Sequence, residues 1–119
     1  MAKIIVLDDV EDAGNLIRRI LQGKGHTVLT FTDEEKALES LSSETIDLAI
    51  LDIKLKKMTG LEVLEELKKR SPGTKAIMLT GYPTIETARE SVKLGAQEYC
   101  VKPIDKHELE EKVEQVLVM

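Results

Sequence analysis

With 119 residues, 42% hydrophobic and 33% charged, the sequence is long and apolar enough to pack one domain without a staple, which excludes wholesale disorder. Seventeen Lys and Arg against 22 Asp and Glu give a formal net charge of −5 with no basic stripe, so direct grip on a nucleic-acid backbone is not expected. Cys100 is the only cysteine, which excludes an internal disulfide and a thiolate zinc site, and no apolar run approaches a membrane span or a secretory signal core, so the expectation is a cytoplasmic protein without membrane contact.

Taken in chain order, Ile4-Ile5-Val6-Leu7 is continuously apolar, the pattern of a parallel strand covered on both faces. Ala13, Leu16, Ile17, Ile20 and Leu21 then fall at helical spacing and predict one apolar stripe, ended by Gly23 and Gly25. Thr27 to Phe31 reads as a weaker strand. Thr32 or Asp33 can cap a helix carrying Ala37, Leu38 and Leu41. Leu48-Ala49-Ile50-Leu51 is a third strand, and Leu61, Leu64 and Leu67 mark a helix that stops before Ser71-Pro72-Gly73. Ala76-Ile77-Met78-Leu79 precedes a helix with a thin apolar face, Ile85, Ala88 and Val92, stopped by Gly95. Tyr99-Cys100-Val101 is the last strand, and Leu109, Val113, Val116 and Leu117 mark a last helix capped by Asp105. This is a (βα)5 alternation, which predicts an α/β fold, a doubly wound five-stranded parallel sheet with right-handed crossovers. No repeat, linker or low-complexity segment interrupts it, so residues 1–119 are expected to be one domain.

In such sheets ligands bind beyond the carboxyl ends of the strands. The residues there are Asp8 and Asp9 after the first strand, Asp52 after the third, Thr80 after the fourth and Lys102 after the fifth. Three close carboxylates repel one another unless a cation is present, and hard oxygen donors without His or Cys suit Mg²⁺. A metal and an ammonium together neutralise a phosphoryl group, and a carboxylate in that cradle can attack phosphorus to give an acyl phosphate. Each residue alone has an ordinary reading, as helix cap, turn residue or strand exit; the combination at four strand ends carries the signal.

This constellation resembles the receiver domain of two-component response regulators. The matching runs are Val6-Leu7-Asp8-Asp9, Leu51-Asp52-Ile53, Met58-Thr59-Gly60, Leu79-Thr80-Gly81, Leu94-Gly95-Ala96 and Lys102-Pro103, and the resemblance covers essentially the whole chain. Thr80 through Ala88 looks more specifically like receivers of sigma-54-dependent transcription activators. The resemblance implies a flavodoxin-like sheet of strand order 2-1-3-4-5. It implies Asp52 as phosphoacceptor, Asp9 as direct Mg²⁺ ligand and Asp8 mainly through water, with Asp52 and the Lys54 main-chain carbonyl completing the set. Lys102 would pair with the phosphoryl group, Thr80 would bond to it, and Tyr99 would be the aromatic switch. The Lys102-Pro103 bond would be cis. The implied partner is a sensor histidine kinase or phosphotransfer protein, and a homodimer on phosphorylation is left open. Activity would be self-phosphorylation and slow self-dephosphorylation rather than metabolic turnover. The helix 4–strand 5–helix 5 surface would carry the signal to an output, transcription in the sigma-54 case.

Where the family often has proline four residues after the phosphoacceptor, this chain has Lys56, so Lys54-Leu55-Lys56-Lys57 is expected to be a less rigid, solvated basic loop. His26 and His107 are expected at the surface, and Cys100 in the core. Three other functions compete. A Mg²⁺-dependent phosphatase with an Asp nucleophile would want an acid at Lys54. An FMN carrier would want a Ser/Thr/Gly-rich loop where Asp8-Asp9-Val10-Glu11-Asp12 stands. A phosphorylation-independent binding module would not need the full set of Asp8, Asp9, Asp52, Thr80 and Lys102.

Overall fold

A computed structural model describes all 119 residues, Met1–Met119. The elements alternate as the periodicity predicts: β1 (Lys3–Leu7), α1 (Glu11–Gln22), β2 (Thr27–Phe31), α2 (Glu34–Ser43), β3 (Leu48–Leu51), α3 (Gly60–Arg70), β4 (Lys75–Thr80), α4 (Ile85–Lys93), β5 (Glu98–Val101) and α5 (Lys106–Leu117). All strand pairs are parallel, in the order β2-β1-β3-β4-β5.

The continuous apolar strands are explained by the two covered faces. Alternate residues of each strand point to opposite sides. Ile4, Val6, Ile50 and Ile77 pack with Ile17 and Leu21 of α1 and Leu109, Val113 and Val116 of α5. Ile5, Leu7, Leu51 and Met78 pack with Leu38 of α2 and Val63, Leu64 and Leu67 of α3. Cys100 lies in the first cluster, and burial, with the nearby Glu98 charge, pushes its thiol up to about 11. No helix is long and apolar enough to cross a membrane.

Four helix starts are fixed by side-chain caps, that of α4 by Thr84, which accepts from the Thr87 N–H at 3.0 Å. Asp33, not Thr32, caps α2, accepting from the Lys36 N–H at 3.0 Å. Thr59 and Glu62 form a reciprocal capping box on α3, and Asp105 caps α5 by accepting from the Glu108 N–H at 2.8 Å. The Lys102-Pro103 peptide is cis, as the resemblance implies.

Two expectations fail. Leu16 is not part of the buried stripe but is 56% exposed. The buried side of α1 is centred on Gly14, Ile17 and Leu21, with Gly14 close to Thr30, and Leu16 lies roughly 100° round the helix from Ile17 on the far flank. His26 is not a surface residue: it is 8% exposed, at the amino end of the sheet. Its Nδ1 accepts from the Ala2 N–H at 3.2 Å, which leaves Nε2 to donate to Glu114 Oε1 at 3.2 Å. A hollow of about 500 Å³ opens beside it, at the opposite end of the sheet from the strand-end acids. His107 is exposed, as expected.

Candidate functional site

Strand register brings the polar strand ends together. Leu7 pairs with Leu51, Leu51 with Met78, and Thr80 with Val101. The Asp52 N–H donates to the Leu7 carbonyl at 3.0 Å, and the Lys102 N–H to the Thr80 carbonyl at 2.8 Å. The ladder therefore sets Asp8 beside Asp52 and Lys102 beside Thr80.

The Lys102 ammonium bridges the two acids, 2.6 Å from Asp8 Oδ2 and 3.1 Å from Asp52 Oδ2. Asp8 also serves its loop, accepting from the Val10 N–H at 2.9 Å. Asp8, Asp9 and Asp52 each offer a carboxylate oxygen, all within 4.8 Å of one another. One ammonium against three carboxylates leaves a local excess of negative charge. Burial raises the pKa of the Asp52 carboxyl above the usual aspartate range; Asp8 adds to the rise, and Lys102 only partly offsets it. Burial opposes the Lys102 charge too, but its bonds to Asp8 and Asp52 outweigh that and hold the ammonium above its ordinary value. An all-oxygen donor set with excess negative charge fits a hard divalent cation.

Thr80 is fully buried, and its Oγ1 accepts from the Tyr82 N–H at 3.0 Å. The Asp52 Oδ1 atom accepts from the Lys54 N–H at 3.3 Å. The Lys54 ammonium does not enter the acid cluster. It lies 4.3 Å from the centroid of the exposed Tyr82 ring, joining the loops after β3 and β4 above a cleft of about 400 Å³. Tyr99, half-buried, reaches α4 instead of the acids: its hydroxyl lies 2.7 Å from Thr87 Oγ1 and 3.4 Å from the Thr84 N–H. Asp8, Asp9, Asp52 and Lys102 thus converge; Thr80 adjoins Lys102 through its backbone with its hydroxyl on the Tyr82 N–H, Lys54 reaches the cluster only through its backbone, and Tyr99 stands off it.

The loop after Asp52 is solvated at Lys54, Lys56 and Lys57, as expected, and two acids at the start of α2 contact it. Glu34, only 1% exposed, accepts from the Lys57 N–H at 2.6 Å and the Met58 N–H at 2.8 Å. The Lys57 ammonium meets Asp33 at 3.0 Å. The sequence reading named Asp33 only as a cap and passed over Glu34, because an Asp-Glu pair at a helix start reads as a cap with dipole-friendly charge.

Residues 4–114 match the model of the response regulator receiver domain. The transcriptional regulatory protein ZraR of Escherichia coli K12 is 32% identical over 114 residues, which are 96% of this chain and 26% of that protein, so the chain spans about a quarter of that relative's length. A solved CheY-like receiver domain protein from Methanospirillum hungatei is 34% identical, covers 99% of this chain and 94% of its own, and superposes with a TM-score of 0.95. A Burkholderia pseudomallei response regulator, solved with a phosphorylated aspartic acid and a calcium ion, is 28% identical with a TM-score of 0.87 over 98% of this chain and 66% of its own. An acid cluster at the carboxyl end of a 2-1-3-4-5 sheet, a bridging lysine and a buried threonine agree with these matches, and the chain belongs to the response regulator receiver domain family of two-component signalling.

Proposed function

We propose that residues 1–119 work as one cytoplasmic receiver domain that takes a phosphoryl group on Asp52 from a histidine kinase or phosphotransfer protein. The single observation carrying this reading is the Lys102 ammonium bridging Asp8 and Asp52 at adjoining strand ends. Asp8, Asp9, Asp52 and the Lys54 carbonyl would hold Mg²⁺, which when bound neutralises charge on the phosphoryl oxygens. An Asp52 carboxylate oxygen attacks phosphorus, the acyl phosphate bond forms, and the bond to the donor nitrogen breaks with its electron pair leaving on the imidazole. Lys102 shifts from the acids to the new dianion. Thr80 turns its hydroxyl to a phosphoryl oxygen and gives up the Tyr82 N–H. Tyr99, now held only through Thr84 and Thr87, follows inward, and the surface of α4, β5 and α5 changes. Its exposed Ile85 and Val92, 72% and 71% accessible, provide an apolar face for output or pairing with a second copy, with transcription as the process controlled.

The test is intact-mass analysis after incubation with acetyl phosphate. Wild type should gain one phosphoryl group only when Mg²⁺ is present, and Asp52→Asn none. If wild type takes no group and binds no beryllofluoride, the reading fails.

Donor docking is assigned to an apolar groove of about 400 Å³ between α1 and the β5–α5 loop, lined by Leu16, Ile20, Pro103 and Ile104 and reaching Lys102. A donor helix seated there lies beside Lys102, whose ammonium is 3.1 Å from Asp52 Oδ2. Leu16→Asp should therefore slow transfer from the partner protein by about tenfold or more, the effect of losing roughly 1.4 kcal/mol at a contact centre. Transfer from acetyl phosphate should stay within about twofold, since the small donor needs no docking surface. Equal slowing with both donors would place the defect in the site and remove this assignment.

A further inference from the structure

We infer that Glu34 is a positioning residue for the cation site, acting through the loop that follows Asp52. This rests on the reading of Asp52 and the Lys54 carbonyl as metal ligands. The loop from Ile53 to Thr59 has no proline, and its tip residues Lys54, Lys56 and Lys57 are exposed. Left to itself, such a segment samples many backbone conformations. Here it is fastened on both sides. At one side, the Gly60 N–H closes back on the Ile53 carbonyl at 2.7 Å. At the other, one carboxylate oxygen of Glu34, Oε2, accepts from two successive backbone N–H groups, those of Lys57 and Met58. The three residues between these fastenings, Lys54 to Lys56, include the carbonyl that would face the cation.

Glu34 is built for this task rather than for capping. Asp33 already caps α2. Burial alone would push the Glu34 carboxyl up, yet the Met58, Glu34 and Lys57 N–H groups hold it below its ordinary value, so it stays an ionised acceptor. Hydrogen bonds from backbone amides to an ionised carboxylate are the strong kind. Both donors lie more than twenty residues away in sequence, so the bonds join α2 to the phosphoacceptor loop and not to its own helix. Outer partners of metal ligands commonly change metal affinity by about 10- to 100-fold when removed.

The test separates reach from charge. Glu34→Asp keeps the charge and the helix start but withdraws the carboxylate by one methylene. Glu34→Gln loses the charge but keeps an acceptor oxygen at the same reach. Mg²⁺ affinity is measured by calorimetry, and hydrogen exchange is followed at the Lys57 and Met58 amides without metal. Glu34→Asp should bind Mg²⁺ about tenfold more weakly and exchange both amides faster by a similar factor. Glu34→Gln keeps the acceptor oxygen but loses the charge assistance, so both measures should weaken by less than in Glu34→Asp, by about threefold. Mg²⁺ affinity unchanged in Glu34→Asp, or lost equally in both variants, overturns the inference. A wild-type chain that binds no Mg²⁺ and takes no phosphoryl group overturns the underlying functional reading and this one with it. Helix-compatible substitutions keep the fold intact, and circular dichroism of each variant checks that.

Discussion

Gly60→Ala is expected to destabilise the protein by about 3 kcal/mol or more, lowering the unfolding midpoint by roughly 10 °C. A methyl group at Gly60 would meet the Asp52 carbonyl oxygen at 2.0 Å, the Ile53 Cα at 2.7 Å and the Asp52 carbonyl carbon at 2.8 Å. All three are backbone atoms, so no rotamer change can clear them. The constraint is space, because Gly60 does not adopt positive φ. Relief requires α3 to slide away from β3, opening the Val63, Leu64 and Leu67 packing, or the Asp52–Ile53 backbone to shift. Urea unfolding reads the first and Mg²⁺ binding the second. A Gly60→Ala protein within about 1 kcal/mol of wild type and with unchanged Mg²⁺ affinity would contradict the geometry.

Lys102→Met should slow phosphoryl acceptance from acetyl phosphate by about 100-fold or more, the usual cost of losing one preorganised charge donor. The same change leaves Asp8 and Asp52 facing each other without a cation, so the metal-free fold should lose about 1–3 kcal/mol near neutral pH. The pH dependence follows from Asp52. Its carboxyl already sits above the usual range through burial and the Asp8 charge, and without Lys102 it moves further up. The folded state then keeps a proton that the unfolded chain releases, so the stabilising effect is full below the ordinary value of 3.8 and is lost as pH rises through the raised one. The variant should therefore approach wild-type stability in acid and fall behind it as pH rises. Mg²⁺ should restore most of the loss, because it binds the folded acids and not the separated ones. Denaturant titrations at several pH values, with and without Mg²⁺, check all three statements. A deficit independent of pH and of metal would show that Lys102 acts through packing instead of charge.

What could be read in advance follows the range of the interactions. The (βα)5 alternation is written in local periodicity, and the strand-end acids follow from it because parallel strands all point their carboxyl ends one way. Asp52, Thr80 and Lys102 needed only that rule to be placed together. His26 was misplaced because its partners, the Ala2 N–H and Glu114, lie in other elements, and a lone histidine at a strand start carries no local sign of them. Glu34 escaped for the same reason, with the added disguise of a helix-start acid. Leu16 failed for a geometric one: the stripe Ala13-Leu16-Ile17-Ile20-Leu21 is wider than the face β1 and β2 can cover, and spacing alone does not say which flank is left over. Gly60 is visible as a residue at the start of a helix, but the carbonyl 2.0 Å from its absent side chain is not.

The Lys102–Asp8 bridge joins residues 94 positions apart, and Lys102 follows the outermost strand of the sheet. During synthesis, the acids after β1 and β3 can meet before β5 has left the ribosome, but their cation partner cannot. A chain halted before β5 would carry Asp8 and Asp52 without their ammonium partner. The charge clamp is thus complete only in chains whose β5 has docked against β4.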